Sequence, residues 1–384
     1  MESKRETLRF LRILRGDVPN TSRRGWNIHL EGALSWLNLA IASTRGIGLS
    51  KGFDLLRRKW HPLYPEITGY TIPTLLNLYL MTGNSHWEAL ALKWAKNLLQ
   101  YRSIEGGIYY WDHQKSHYPV IFDTGQVIFG WVAAYCHTGN PLFLEAAEQS
   151  ADWLVHQQRE DGVWVNHQHL NYPKVIDARV DWALLELHKV SSKPVYQQAA
   201  LRNLNWVLQN QHPDGWFSYC GFRRFEAPFT HTLAYTAEAL FYSAKITDDE
   251  QFMEAARKTA DALMHFQRPD GSLAGAFGKH WKEAEKSTCL TGNAQMSKLW
   301  IEMSKEFHAS EYKVAAEKSL EFLCKTQILE TNFCEILGGI AGSYPIYGKY
   351  ERFKYPAWAC KFFIDALLAV QKDNATRELL FYSG

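Results

Sequence analysis

The sequence lacks the features that mark several common classes of protein. Its 384 residues contain no run approaching the roughly 18 apolar residues that a transmembrane helix needs. The six cysteines are dispersed and form no Cys-x-x-Cys pair, so a disulfide framework is not expected in a chain of this length. The net charge is only +2, which gives no general electrostatic argument for a nucleic-acid partner. Linkers rich in Pro, Gly or Ser are absent as well.

The N-terminal segment is basic but has no apolar signal core. Residues 1–24 carry seven Lys and Arg side chains. Three leucines in the same stretch have the spacing of one helix face, so a short amphipathic basic helix could form there. Such a helix would either pack on the body of the protein or touch a membrane surface. We expect a cytoplasmic protein with a basic segment over 1–26 and one folded domain over 27–384.

Aromatic and apolar residues are abundant and arranged with helical periodicity. Hydrophobic residues make up 46% of the chain and aromatic residues 14%, which is ample for a large core. Helices with one apolar stripe alternate with helices that are apolar nearly all round, and the latter belong inside a protein. The striped helices are predicted at 28–43, 86–100, 142–158, 195–211, 251–267 and 312–327. The apolar ones are predicted at 70–81, 123–136, 177–190, 231–244, 293–304 and 357–370.

The helices follow a repeat of fixed length. The glycines Gly106, Gly162, Gly215 and Gly271 are separated by 56, 53 and 56 residues, and the last three follow Asp. Helices end readily at a residue able to adopt positive φ, which Gly does at low cost. A constant period of this size indicates an array of structural units. Because an open stack would leave one side of each apolar helix wet, we predict a closed all-α ring, an (α/α)6 toroid of about six helical hairpins.

The repeats also resemble those of a known superfamily. The segments 157–164, 209–216 and 267–271 each contain Gln followed by Asp-Gly, and the first two end in Trp. They are similar to the repeats of α/α-toroid proteins, which include terpenoid cyclases, protein prenyltransferases and six-hairpin glycosidases with related polysaccharide lyases and epimerases. The stretches 122–126 and 338–345 additionally resemble toroid proteins of bacterial exopolysaccharide biosynthesis. The resemblance implies the toroid fold over about residues 30 to 370, whereas it is weak for the reaction.

Motifs for three kinds of toroid enzyme are missing. The Asp-x-Asp-Asp and Asp-Asp-x-x-Asp patterns of terpenoid cyclases do not occur. Prenyltransferases and the lanthionine-cyclase type of toroid need zinc ligands, and no matching Asp, Cys and His pattern surrounds Cys220. Carbohydrate chemistry without a metal or cofactor is therefore favoured. Hydrolysis, elimination and epimerisation stay open, and an isoprenoid-processing enzyme is a weaker alternative.

In a toroid, the N-terminal ends of the inner helices open into one funnel. Residues predicted to cap those helices are Thr68, Thr124, Asp177, Thr230 and Thr291. Two positions further along, the residues are polar and unlike one another: Tyr70, Gln126, Arg179, Thr232 and Asn293. This second set forms either a ring of ligand contacts on the floor of the funnel or a satisfied polar layer between helices.

Acid–base chemistry on a sugar requires two suitably placed groups, commonly carboxylates. The candidates near the predicted funnel are Glu66, Asp123, Asp177, Asp181 and Glu226. We predict that Asp123, Asp177 and His231 are catalytic, with Asp123 the strongest because it has no predicted capping duty. Asp177 also fits a cap, Asp181 fits a buried network with Arg179, and a lone histidine such as His231 is often structural.

The loops predicted at the mouth of the funnel are aromatic and basic. They are the segments 109–113, 164–167, 222–225 and 344–347. Aromatic faces stack on sugar rings, and Arg binds carboxylates in a bidentate manner, so an acidic or N-acetylated oligosaccharide is the expected partner. The predicted substrate contacts are Tyr70, Gln126, Trp164, Arg179, Arg223, Glu226 and Asn293. If no second acid or His231 lies near Asp123, a non-catalytic toroid that binds a glycan or a partner enzyme becomes the better interpretation.

Overall fold

The computed structural model describes residues 12–13, 24–110 and 118–373, and twelve α-helices account for most of them. In chain order the first six are α1 (Trp26–Ala42), α2 (Pro65–Thr82), α3 (Ser85–Asn97), α4 (Ile121–Thr138), α5 (Pro141–Gln157) and α6 (Ala178–Ser191). The remaining six are α7 (Pro194–Gln209), α8 (Thr230–Thr247), α9 (Glu250–His265), α10 (Leu290–Glu306), α11 (Ser310–Thr326) and α12 (Ala357–Asp373). All twelve correspond to the helices predicted from the periodicity.

Odd-numbered helices form the outer layer and even-numbered helices the inner layer. The inner helix α4 buries every residue from Ile121 to Ala134. The outer helix α9 buries a single stripe with the spacing of one helix face: Phe252, Ala255, Ala256, Thr259, Ala260 and Leu263. The two layers therefore follow directly from the two hydrophobic patterns in the sequence.

The inner helices pack against one another in order, and the two ends of the described chain close the ring. Helix α12 packs on both α1 and α2. Strand β1 (Gly52–Asp54), which follows α1, pairs antiparallel with β7 (Lys354–Pro356), which precedes α12. The closed ring of six hairpins predicted from the sequence is thus confirmed, with α1 and α12 forming one of the six pairs.

The loops between the helices contain short strands that were not predicted from the sequence. Within the described ranges they are β1, β2 (Lys59–Trp60), β3 (Ala276–Phe277), β4 (Glu283–Glu285), β5 (Thr288–Cys289), β6 (Ser343–Tyr344) and β7. They form a three-stranded sheet in the order β2-β1-β7 and two antiparallel pairs, β3-β4 and β5-β6. Strands of two or three residues carry too little alternation to be recognised by pattern.

A glutamine after the outer helix fastens one hairpin to the next. The side-chain amide of Gln158 donates to the carbonyl oxygens of Gly162 and Ala199, both at 2.9 Å. Gly162 has φ +83°, and a Cβ there would lie 2.8 Å from a carbonyl oxygen of α7. The same contact closes the ring, because Gln327 donates to the carbonyl oxygen of His29 on α1 at 3.1 Å. The repeated Gln and Asp-Gly residues of the sequence therefore form the contacts between neighbouring hairpins.

The four threonines predicted to cap inner helices do not occupy the N-cap, because these helices begin at or before the threonine. Helix α4 starts at Ile121 and its N-cap is Val120, so Thr124 lies a full turn inside it. There the Thr124 hydroxyl donates to the carbonyl oxygen of Val120 at 2.7 Å and accepts from the backbone N–H of Ile108 at 2.9 Å. The other predicted caps that lie inside their helices are Thr68, Thr230 and Thr291. Asp177 does occupy the N-cap of α6, although its side chain makes no capping hydrogen bond.

The basic segment predicted over 1–26 lies almost entirely outside the described residues. Within the described ranges, none of the helices has the length and apolar character needed to cross a bilayer.

Candidate functional site

A cavity of about 150 Å³ lies at the N-terminal ends of the inner helices, where the sequence predicts the funnel. Helix ends contribute one part of its wall: Tyr64, Glu66, Tyr70, Phe122, Ile176, His231, Tyr235 and Trp358. Loops that follow outer helices contribute the other: Lys51, Gln168, His169, Lys174, Phe222, Tyr350 and Glu351. We call this space the central cavity.

Two acidic residues meet around one tyrosine at this wall. The hydroxyl of Tyr64 lies 3.4 Å from Asp123 Oδ1 and shares a hydrogen bond with the carboxyl of Glu66. Burial, reinforced by the nearby Asp123, raises the pKa of Glu66 to about 8. Glu66 is therefore protonated at neutral pH, and a carboxylic acid held in this state can donate a proton or a hydrogen bond to a ligand.

Asp123 itself lies behind the wall of the cavity. Its side chain is fully buried, and Oδ2 has no hydrogen-bond partner in the part of the chain that the structure describes. Oδ1 lies 3.5 Å from Nε2 of His169, which lines the cavity with 36% of its side chain exposed. A buried carboxylate behind a histidine orients the imidazole ring. The structure thus connects Asp123 to the cavity through Tyr64 and His169.

The loop that carries His169 is held in an unusual conformation. His167, Leu170 and Asn171 have φ values of 60°, 70° and 47°, in the left-handed region that residues other than Gly seldom adopt. The ammonium of Lys174 donates to the carbonyl oxygen of His169 at 2.6 Å. Sequence reasoning did not single out His169, because a non-repeating loop carries no periodic signal.

Asp177 forms a second acidic position next to the same loop. Gln168 donates to Asp177 Oδ2, and burial raises the pKa of Asp177 to about 7. Burial also lowers the pKa of Lys174 to about 8, opposed by the two aspartates Asp177 and Asp123. Lys174 lines the cavity together with Lys51, whose ammonium lies 5.1 Å from the ring centroid of Tyr64. The cavity wall therefore combines a neutral acid with cationic side chains.

His231 lines the cavity as a neutral imidazole. Burial lowers its pKa to about 3, and Nδ1 lies 2.7 Å from the amide oxygen of Gln295. An amide oxygen only accepts, so in this arrangement Nδ1 carries the proton and Nε2 is the acceptor. The rings of Tyr235 and Tyr350, at 4.2 and 5.3 Å, surround it.

Below the cavity, a layer of buried charges connects the inner helices. The guanidinium of Arg179 donates to Gln126 at 3.0 Å and to Glu238 at 2.8 Å, and it lies 4.3 Å from the ring centroid of Tyr235. The ammonium of Lys298 donates to the other oxygen of Glu238 at 2.8 Å. Burial alone would raise the pKa of Glu238, but Lys298 and Arg179 hold it below its usual value. Gln126 and Arg179 thus lie in a paired layer beneath the cavity.

The other residues predicted to contact substrate are dispersed. Tyr70 lines the central cavity. Trp164 is buried and its indole N–H donates to the carbonyl oxygen of Leu154 at 2.9 Å. Asn293 accepts from the backbone N–H of Leu273 at 3.1 Å and lies in the contact between hairpins. Arg223 and Glu226 line a different cavity, described below.

Asp181, another of the acidic candidates, is completely buried. Both carboxyl oxygens of Asp181 are buried without a hydrogen-bond partner among the described residues, and burial raises its pKa well above the usual value. Of the predicted rim over 109–113, residues 111–113 lie outside the described ranges. Within those ranges, no group of three or more His, Cys, Asp or Glu side chains is arranged to hold a metal ion.

The raised carboxyl pKa values predict how stability depends on pH. In the folded protein Asp177 has a pKa of about 7 and Glu66 of about 8, whereas in the unfolded chain both return to about 4. Between about pH 4 and pH 8 the folded state therefore binds more protons at these two carboxyls than the unfolded state does. The stability contributed by the protonated carboxyls is therefore complete below about pH 4 and is lost as the pH rises through 7 and 8.

We expect the stability of the wild type relative to Glu66→Gln to fall as the pH rises from 6.5 to 8, by up to about 1.4 kcal/mol of unfolding free energy per pH unit. The comparison isolates Glu66, because the raised pKa of Asp181 and the lowered pKa of Lys174 affect both proteins. Calorimetry of both proteins over this pH range measures the difference. A difference that is constant, or that grows in favour of the wild type as the pH rises, would contradict the assignment.

Comparisons with known proteins locate the fold among carbohydrate enzymes. The protein is similar to an unsaturated glucuronyl hydrolase specific for heparin, with a TM-score of 0.73 and 16% identity over 91% of this chain and 98% of the other. An unsaturated glucuronyl hydrolase from Streptococcus agalactiae, an aspartate-to-asparagine variant complexed with dGlcA-GalNAc6S, gives a TM-score of 0.69 at 14% identity, covering 93% and 96%. The cellobiose 2-epimerase of Bacillus thermoamylovorans B4167 gives 0.69 at 11% identity, covering 89% and 99%.

No protein-family model and no curated protein matches the sequence. At identities this low, the structural likeness establishes the architecture and leaves the reaction to be argued from the site. The neighbours are unsaturated glucuronyl hydrolases and a cellobiose 2-epimerase, whose names describe enzymes that act on carbohydrates. The chain has the α/α-toroid fold of the six-hairpin glycosidase-like proteins.

Proposed function

We propose that the protein is an enzyme that processes the terminal sugar of an acidic oligosaccharide by acid–base catalysis in the central cavity. The observation that carries this proposal is the protonated carboxyl of Glu66 at the cavity wall, next to the buried Asp123. A carboxylic acid kept neutral beside a second carboxyl is the arrangement that glycosidases use to protonate a leaving group. The role in exopolysaccharide modification and the cytoplasmic location expected from the sequence belong to this proposal.

Hydrolysis is the reaction we favour. Glu66 donates its proton to the glycosidic oxygen, and the bond from that oxygen to the anomeric carbon breaks. Water adds to the anomeric carbon, and its proton passes to His169, whose ring is oriented by Asp123 at 3.5 Å. The products are two shorter saccharides, and Glu66 regains its proton from the imidazolium through solvent.

The size and charge of the cavity favour the end of an acidic chain. Its volume of about 150 Å³ is below the several hundred Å³ typical of pockets for larger ligands, so it fits about one sugar ring. Lys51 and Lys174 supply positive charge for a carboxylate, and the aromatic wall supplies stacking surfaces. Neighbours of the same fold are unsaturated glucuronyl hydrolases, which agrees with a uronic acid at this position.

Epimerisation is the second candidate, because His231 is an unprotonated base in the same cavity and one structural neighbour is a cellobiose 2-epimerase. In that reaction a base removes a proton from carbon next to a carbonyl and a proton returns to the opposite face. The product is then an isomer of the same mass. Epimerisation in D₂O would leave deuterium on carbon, whereas hydrolysis in H₂¹⁸O would place ¹⁸O in the new reducing end.

A panel of oligosaccharides tests the proposal. Saturated and unsaturated uronate-ended disaccharides, matched neutral disaccharides and isoprenoid diphosphates are incubated with the protein and analysed by mass spectrometry. We expect cleavage of at least one uronate-ended sugar and none of its neutral counterpart. Binding of these sugars without turnover would make the protein a binding module, and turnover confined to isoprenoids would refute the carbohydrate proposal.

A further inference from the structure

A second and larger cavity lies beside the central one. Its volume is about 380 Å³, and the residues that give it its chemical character are Trp216, Tyr219, Arg223, Arg224, Phe225 and Lys279. The loop 221–228, between α7 and α8, separates the two spaces: Phe222 faces the central cavity, while its neighbours Gly221 and Arg223 line the second one. Because adjacent Cα atoms are about 3.8 Å apart, the two cavities share one thin wall.

The second cavity carries positive charge with little compensation. Arg223, Arg224 and Lys279 form no ion pair within the described ranges. The acidic residue on the same wall is Glu226, whose carboxylate accepts from the backbone N–H of Arg223 at 3.1 Å. Guanidinium groups without internal partners are suited to bidentate contacts with carboxylates or sulfates of a ligand.

Exposed aromatic rings accompany these charges. Phe225 is 95% exposed and Tyr219 is 47% exposed. Both have positive φ, 65° and 57°, a conformation unfavourable for bulky residues. The guanidinium of Arg224 lies 5.1 Å from the ring centroid of Phe225. A strained backbone that presents an aromatic ring to solvent contributes nothing to the core, so a binding role accounts for it better than packing does.

We propose that the second cavity is a subsite for the anionic sugars that follow the terminal one, so that the protein selects acidic oligosaccharides by length. This inference rests on the proposed function of the central cavity. A chain whose end enters the central cavity passes the edge of the 221–228 loop, and its next anionic units meet Arg223 and Arg224 while a ring stacks on Phe225.

Binding measurements separate this subsite from the central one. Isothermal titration of Glu66→Gln, used as a non-hydrolysing background, is performed with oligogalacturonides of two and six units, heparin-derived oligosaccharides of the same lengths and neutral cello-oligosaccharides. We expect the acidic hexamers to bind roughly tenfold more tightly than the dimers. Adding Arg223→Ala and Arg224→Ala should remove this gain and weaken dimer binding less, because a dimer offers the second cavity only one anionic unit, and Phe225→Ala should remove part of the gain.

The control removes the same charge elsewhere on the surface. Arg159→Ala with Lys258→Ala, at exposed positions that line neither cavity, should keep the full gain with length. A gain with oligogalacturonides identifies carboxylates as the recognised groups, and a gain confined to heparin fragments identifies sulfates. A gain that survives in the double arginine variant, or that is equal for neutral sugars, overturns the subsite alone. Absence of binding by dimers and hexamers alike overturns the subsite and the proposed function together.

Discussion

Replacing Glu66 by Gln should lower kcat by about 10²- to 10⁴-fold while the oligosaccharide still binds. The amide has nearly the same shape as the carboxylic acid and can donate a hydrogen bond, but it cannot transfer a proton to the leaving group. Since Glu66 lines the central cavity and is neutral in the folded protein at pH 7, the substitution changes no charge at that pH. Steady-state kinetics on the substrate identified by the panel, with binding measured separately, provides the test.

A matched control is available in the same cavity. Glu351 also lines it and forms an ion pair with Lys354 at 2.7 Å, so Glu351→Gln makes the same replacement of a carboxyl by an amide and additionally removes the charge of this ion pair. We expect less than about a tenfold effect on kcat there, because a partly exposed ion pair contributes little. Equal losses in both variants would show that any change to the cavity impairs turnover, and Glu66 would lose its role as proton donor. Retained activity in Glu66→Gln would refute it outright.

The largest expected loss of stability comes from Glu238→Gln. Glu238 compensates two buried cations, Arg179 and Lys298, each at 2.8 Å, and all three side chains are almost completely excluded from solvent. Removing one partner of a buried ion pair leaves uncompensated charge in a medium of low polarity and costs about 3–5 kcal/mol. The shift of the urea midpoint at constant slope measures this loss.

A surface ion pair between the same two inner helices, α8 and α10, is the comparison for Glu238. Lys245 and Glu306 also form a close ion pair, at 2.6 Å, but both side chains are about one-third exposed. Glu306→Gln should therefore cost no more than about 1 kcal/mol. If the two variants unfold at the same urea concentration, the buried layer is not the stabilising feature that its geometry implies.

The architecture was largely readable from the sequence because its signals are local and repeated. Apolar periodicity identified each of the twelve helices, and the spacing of Gly162, Gly215 and Gly271 indicated the array. The helix starts were less accurate. The sequence alone does not tell a threonine that caps a helix from one such as Thr124, which bonds a carbonyl one turn back and the preceding loop.

The site was less predictable because it is assembled from distant segments. The position of Asp123 near the centre followed from the helix pattern, yet its placement behind Tyr64 and His169 depends on how a loop folds over the end of α4. The polar residues that follow the predicted caps occupy equivalent positions in the sequence repeats. Tyr70 lines the cavity, whereas Asn293 lies in a contact between hairpins. Whether such a residue faces the cavity or a neighbouring hairpin depends on how the hairpins pack, which the sequence alone does not give.

The closure of the ring has a consequence for how the molecule is made. Lys51 follows α1 and Glu351 precedes α12, so the central cavity needs both ends of the described chain. Hairpins near the N-terminus leave the ribosome first and fold as an open arc. In that arc α2 is not yet packed against α12. The Thr74 hydroxyl, which donates to Asp365 of α12 at 2.9 Å in the closed ring, then has no such acceptor. A chain that lacks α12 therefore exposes the apolar surface of α2 that α12 covers, and the central cavity is complete only when α12 is in place.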